Sequence, residues 1–180
     1  RNKIAGAIYG FAIGDAMGAT TEFMTQERIV EKYGVVEDII GGGWLSITPG
    51  NVTDDTQMSM GVMNAICNTI GFPYKKNLAI TEDDLFKTNC QLEFIKWLNS
   101  KPIDVGNKCF NSIVLLKDNK EIPYDETALG NGSLMRALPC ALINKEEWNL
   151  IQGKLTHNND VCSRIISTYS RLIQNLIDEK

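Results

Sequence analysis

Apolar positions along this chain recur mostly at spacings of three and four, the period of a helix face. Ile4, Ile8, Phe11 and Ala12 open a first helix. Met58, Val62, Ala65, Ile66 and Thr69 mark a second, expected to end near Gly71 and Pro73. Thr81-Glu82-Asp83-Asp84 reads as a capped start. Leu85, Phe86, Leu92, Phe94, Ile95 and Leu98 carry the helix that follows. Further helices are predicted over residues 105–116, 133–143 and 146–155. The last covers residues 161–177, with Ile165, Tyr169, Leu172 and Leu176 on one stripe. No sustained period-2 alternation is present. Residues 35–40 come nearest, as a short strand or an extended loop. Gly41-Gly42-Gly43 and Pro49-Gly50 mark irregular backbone. The expected fold class is all-α, a single domain over residues 1–180 with long loops between helices.

Composition leaves this picture unchanged. The chain has 180 residues, 43% hydrophobic and 22% charged, an ordinary globular balance with enough length for a sizeable core. Its net charge of −4 offers no electrostatic footprint for nucleic acid or an anionic membrane. Five cysteines, widely and irregularly spaced, read as buried free thiols rather than a disulfide framework. Residues 4–19 are apolar but too short to span a bilayer, and they contain Asp15. A soluble, cytoplasmic protein is therefore expected. The chain opens at Arg1 without a methionine, as a fragment of a longer protein does.

Four features could carry chemistry. Gly6, Gly10, Gly14 and Gly18 recur every four residues, a stripe that drifts about 40° per step on a helix. Together they cost the helix roughly 3–4 kcal/mol relative to alanine, so something must compensate. One reading is close helix–helix packing. The other is a smooth surface that brings Asp15 and Glu22 to a site. Thr53-Asp54-Asp55-Thr56 precedes an apolar helix; Thr53 fits an N-cap, and adjacent carboxylates with hydroxyls also suit a hard metal ion. Gly130-Asn131-Gly132-Ser133 fits an ordinary turn or a backbone cradle for phosphate. His157 is the only histidine, at a predicted helix boundary from which it could reach a cleft.

Taken together, these segments resemble the ADP-ribosylglycohydrolase family. Four blocks match in order across nearly the whole chain: residues 6–18 with Glu22-Phe23; Thr53-Asp54-Asp55-Thr56-Gln57-Met58; residues 130–136 with Pro139; and Leu155-Thr156-His157. The resemblance implies an all-α orthogonal helical bundle with a binuclear magnesium or manganese centre. By motif, Thr53, Asp54, Asp55 and Glu22 would ligate metal, and Glu22 or Asp104 would serve as catalytic carboxylate. Asn131, Gly132, Ser133 and Met135 would line an ADP-ribose site, His157 would contact the ligand, and Asp104 and Asn107 would face its distal ribose. The implied partner is ADP-ribose or an ADP-ribosylated protein, with arginine the modified side chain by analogy.

The chain also departs from the family. A second metal-ligand cluster, of Asp-x-Asp-Thr type, is expected near the C-terminus of longer members. The acids after the third block are Glu146, Glu147, Asp160, Asp178 and Glu179, and none forms that motif. Half a metal centre is therefore expected, with the C-terminal part of the bundle lacking. Such a chain is either part of a longer enzyme or a short member acting as an ADP-ribose-binding or protein-interaction module. A helical scaffold without a ligand site is the third reading. The stripe on the last helix would be left uncovered, which predicts self-association or a second chain packed against it.

Overall fold

The computed structural model describes residues 2–71 and 80–179. Pro73 lies outside the described residues. Eight α-helices and one short 3-10 turn follow in order: α1 Asn2–Gly18, α2 Gln26–Tyr33, α3 Asp54–Ile70, α4 Glu82–Asn99, α5 Asn107–Lys117, the turn Asn131–Ser133, α6 Leu138–Leu142, α7 Glu146–Lys154 and α8 Asp160–Asp178. Among the described residues the sole β pairing is a bridge between Gly42 and Ile47, and residues 35–40 are irregular loop.

The core forms where helix stripes of the right period meet. Met58, Val62, Ala65 and Ile66 of α3 face Phe86, Cys90, Phe94 and Trp97 of α4. Cys109, Ile113 and Leu116 of α5 close one side, and Trp148 of α7 stacks on Phe86 with ring centroids 4.4 Å apart. The helix starts follow capping chemistry. Thr81 Oγ1 accepts from the Asp84 N–H at 3.1 Å, and Asn159 Oδ1 accepts from Val161 N–H at 2.8 Å. Each satisfies a donor that an uncapped helix start leaves orphaned.

Three sequence expectations are corrected. The helix expected over residues 133–143 is instead a 3-10 turn and the five-residue α6. Between them the turn Leu134–Ala137 lets Arg136 point inward, fully buried. The helix α2 had no predicted counterpart; it is only eight residues long and none of them is buried. Its signal was Thr25, whose Oγ1 accepts from Arg28 N–H at 3.4 Å. Cys67 is exposed, while the other four cysteines are buried free thiols; it lies on the solvent side of α3.

Two surfaces remain uncovered. The buried side of α8 is Cys162, Ile166 and Ser170, so the stripe Ile165, Leu172 and Leu176 faces outward, Leu172 being 54% exposed. The apolar helix α1 buries only Ala16 among the described residues, and Tyr9 is 70% exposed. The two helices meet at their outer ends, where Lys3 Nζ donates to the carbonyls of Leu176 and Ile177 at 3.0 and 3.1 Å. Among the described residues no helix is long and apolar enough to cross a membrane.

Candidate functional site

The N-terminus of α3 organises the site. Thr53 is its N-cap, in extended backbone, and its Oγ1 accepts from Asp55 N–H at 3.4 Å. Asp15, in the last turn of α1, grips the same helix start from outside. Its carboxylate accepts from Thr53 N–H at 3.0 Å, Thr53 Oγ1 at 2.7 Å, Thr56 N–H at 3.1 Å and Thr56 Oγ1 at 2.5 Å. One anion thus answers orphan donors and the positive end of the helix dipole. It also fixes α1 against α3.

The segment after α1 places Glu22. Its Oε2 accepts from Trp44 Nε1 at 2.8 Å, and the Phe23 ring packs on Trp44 with centroids 5.4 Å apart. The loop that carries Trp44 depends on glycine. Gly43 has φ +68, and a Cβ there would lie 2.4 Å from the Ala19 carbonyl oxygen. Any side chain would push the loop off the end of α1. Thr20 Oγ1 ties the loop down by donating to Gly41 O at 2.9 Å.

Carboxyl groups crowd this corner. Burial pushes the Asp54 carboxyl up to about 7, with repulsion from Asp104, Asp55 and Glu22 adding to it. Burial likewise pushes Asp55 up to about 6, helped by Asp15 and Glu22 and opposed by hydrogen bonds from Asp54 and Thr53. Asp104 is also raised, by burial first and Glu22 next. Among the described residues no lysine or arginine forms an ion pair with any of these five acids. Such a cluster either retains protons or takes a cation. Its all-oxygen donors suit a hard ion, yet among the described residues no three Asp, Glu, His or Cys side chains are arranged to hold one by themselves.

A groove of about 480 Å³ opens beside the cluster, lined by Gly10, Gly14 and Gly18 of α1 together with Thr53, Asp55 and Asn131. The glycine stripe therefore does not pack against another helix among the described residues. A Cβ built on Gly6, Gly10, Gly14 or Gly18 meets nothing within 4 Å. Of its two readings, the smooth wall leading to Asp15 and Glu22 is the one the structure displays.

The other candidate residues fall into layers. Asn131 is exposed at the groove. Gly132, Ser133 and Met135 are buried beneath it, and Met135 belongs to the main core. Asn107 is exposed at the start of α5. His157 is 2% exposed and lies under the turn. A Cβ on Gly132 would come within 2.7 Å of its Cε1, and one on Gly130 within 3.3 Å of its Nε2. These glycines thus exist for close approach. Burial, then the charges of Arg136 and Lys108, depress His157 to about 4, so its ring is neutral near pH 7. Sequence reasoning missed Asp15 as the anchor and Arg136 as the buried support. The available signals were an acid at the end of a glycine stripe and a lone cation in an apolar run.

The ADP-ribosylglycohydrolase family pattern matches residues 1–180. The chain is 37% identical to the ADP-ribosyl-[dinitrogen reductase] glycohydrolase of Rhodospirillum rubrum, across 98% of this chain and 58% of that protein. It is 26% identical to the ADP-ribosylarginine hydrolase Tri1 of Pseudomonas putida, across 99% of this chain and 48% of that one. A solved structure titled ADP-ribosylglycohydrolase-related protein complex superimposes with a TM-score of 0.71 at 21% identity, covering 94% of this chain and 54% of the other; that likeness shows the fold. The chain thus spans about half the length of the curated relatives it matches. The pattern spans the chain end to end, and the acid-rich corner of α1 and α3 lies within it: this chain belongs to the ADP-ribosylglycohydrolase family.

Proposed function

We propose that this chain provides the carboxylate-bearing part of a metal-dependent hydrolase that removes ADP-ribose from a modified protein side chain, with arginine the favoured acceptor. The observation that carries the reading is the carboxyl cluster at the start of α3, paired with no lysine or arginine among the described residues and opening onto a glycine-walled groove that reaches Asn131. The printed activities of the relatives, on dinitrogen reductase and on ADP-ribosylarginine, support the substrate class.

In this reading Thr53, Asp54, Asp55 and Glu22 would hold magnesium or manganese, two ions in a full site. Bound there, the ions would supply positive charge and Lewis acidity. The chain's own groups do the rest. Asp15 keeps the Thr53–Thr56 turn in place. Trp44 holds Glu22 at the groove. Asp104, whose carboxyl is raised by burial and by Glu22, is suited to accept a proton from the attacking water. Water oxygen bonds to the anomeric carbon, the bond from that carbon to the acceptor nitrogen breaks, and the acceptor leaves with a proton. A cytoplasmic site of action belongs to the same proposal.

A second reading is a binding module without turnover. It is favoured by the finding that, among the described residues, no three Asp, Glu, His or Cys side chains are arranged to hold an ion. In either case the uncovered face of α8 supports self-association or a second protein partner. Calorimetric titration of ADP-ribose with and without magnesium separates these readings when combined with an assay for ADP-ribose released from an ADP-ribosylarginine protein. The enzyme reading expects magnesium-dependent binding and release, both lost in Asp54→Ala with Asp55→Ala. Binding without release leaves the module. No binding under either condition removes both.

A further inference from the structure

Arg136 is fully buried, and neutral groups answer its charge. Its Nε donates to Gln152 Oε1 at 2.6 Å and its Nη1 to Gly132 O at 2.6 Å. Its Nη2 donates to Gln152 O at 2.9 Å and to Thr156 Oγ1 at 2.7 Å. The Phe94 ring centroid lies 4.5 Å from the guanidinium carbon. A guanidinium only donates, in a rigid planar fork, so Thr156 Oγ1 accepts from it.

That leaves the single hydrogen of the Thr156 hydroxyl. Two acceptors stand near it: His157 Nδ1, 2.8 Å from Oγ1, and the Cys109 sulfur. Sulfur is a weak acceptor and an unprotonated imidazole nitrogen a good one. If Nδ1 carried the proton, Oγ1 would accept twice and its own hydrogen would be left to the sulfur, inside a site where poorly paired polar groups are costly. If Nδ1 is bare, the Thr156 hydrogen goes to the stronger of the two acceptors while Oγ1 still accepts from Arg136. The ring proton then sits on Nε2, which has no acceptor among the described residues and stands 3.3 Å from where a Gly130 side chain would begin.

We infer that Arg136, acting through Thr156, fixes His157 as its Nε2–H tautomer, so that the ring offers a hydrogen-bond donor beneath the Gly130–Gly132 turn to an oxygen of the bound ligand. Arg136 and Thr156 are positioning residues here. His157 is a fixed donor and not a proton shuttle. The absence of side chains at positions 130 and 132 gains a chemical reason, since any Cβ would cover Nε2. The tautomer assignment stands on the free chain alone; its use toward ADP-ribose rests on the function proposed above.

The chain has one histidine, so nitrogen-15 histidine labelling of the full chain gives one pair of ring resonances. The expected spectrum near pH 7 shows Nε2 protonated and Nδ1 bare. Thr156→Ser should keep that pattern, and Thr156→Val should move the ring toward Nδ1–H or an even mixture. A wild-type ring protonated on Nδ1 overturns the inference without any variant, as does a folded Thr156→Val protein with the wild-type tautomer. Titration with ADP-ribose should shift Nε2 more than Nδ1. Binding should weaken about five- to tenfold in Thr156→Val, the loss of one oriented hydrogen bond, and stay near wild type in Thr156→Ser. ADP-ribose that binds and leaves Nε2 unmoved overturns the donor role. A correct tautomer with no ADP-ribose binding overturns the proposed function and leaves the relay standing.

Discussion

Helices α1 and α3 are each seventeen residues long, and both border the same groove. They are held in opposite ways. Nine residues of α3 are buried, from Asp54 at its start to Thr69 in its last turn, and its apolar side forms one wall of the core. In α1 Ala16 alone is buried among the described residues. The Asp15 carboxylate at one end and the Lys3 ammonium at the other do much of its anchoring. Apolar burial is diffuse and additive, whereas a capping carboxylate acts at a point and depends on charge state. The helix richest in glycine is therefore the one whose position is tied most directly to the electrostatics of the site.

The largest expected effect breaks the well-buried side of this comparison. Phe94→Ala removes a fully buried ring that packs on α3 and faces Arg136. It should cost about 3–5 kcal/mol by chemical denaturation. Ile13→Ala, on the exposed side of α1, should stay within about 0.5 kcal/mol. Equal losses would mean that α1 is buried in solution as deeply as α3.

The acid cluster gives the next effect, on the order of a few kcal/mol. Folding raises the Asp54 carboxyl from 3.8 to about 7 and Asp55 from 3.8 to about 6. Well below pH 3.8 both groups are neutral in the folded and the unfolded chain, and no stability is lost. As pH rises, the unfolded chain sheds protons that the folded one retains, so stability falls until the folded groups ionise near 6 and 7. His157 acts in the opposite sense. Its depression from 6.5 to about 4 contributes stability that is full above 6.5 and lost as pH falls through 4. In the presence of a chelator, melting temperature should therefore decline from about pH 5 to 7. Asp54→Asn should flatten the decline, and in the wild type magnesium should reverse it. A flat wild-type profile contradicts the repulsion.

Asp15→Asn tests the point anchor. It keeps the shape but loses the charge and half of the acceptor capacity that Thr53 and Thr56 use. The expected cost is about 1–2 kcal/mol. It should appear in hydrogen exchange as faster opening of α1 with α3 protection nearly intact. Uniform loss across both helices would show that α1 is docked by more than this contact. The smallest effect has the opposite sign. Gly10→Ala and Gly14→Ala meet no atom within 4 Å and should each stabilise this chain by about 0.5–1 kcal/mol. They should also narrow the groove and weaken ADP-ribose binding. Destabilisation would mean that another surface covers the stripe in solution.

Most of the helix pattern was legible because the core helices carry strong stripes or capping residues. Asp54–Ile70, Glu82–Asn99 and Asp160–Asp178 lie within a few residues of their expected limits. The failures have two physical causes. Helix α2 is short and none of its eight residues is buried. The stretch from Ser133 to Ile143 reads as one helix because Leu134, Met135, Leu138 and Leu142 keep helical spacing. Arg136 instead turns inward to Gly132, Gln152 and Thr156, and those partners come from elsewhere in the chain. The site was legible as motif and not as geometry. Glu22, Thr53, Asp55 and Asn131, named from motifs, line one groove. That Asp15 is the clamp, that Ser133 and Met135 are buried, and that Asn107 is exposed could not be read from motifs.

By itself, then, the sequence determined an all-helical chain with a capped acidic turn and a glycine stripe, because periodicity, capping and spacing are properties of neighbouring residues, and its ordered motifs carried the resemblance to one family. Only the tertiary structure decided that the glycines wall an open groove and that one aspartate fastens α1 to α3. It alone set a buried guanidinium behind the single histidine. Each of those facts depends on groups brought together from different elements, whose burial and mutual charge exist only once the helices have packed.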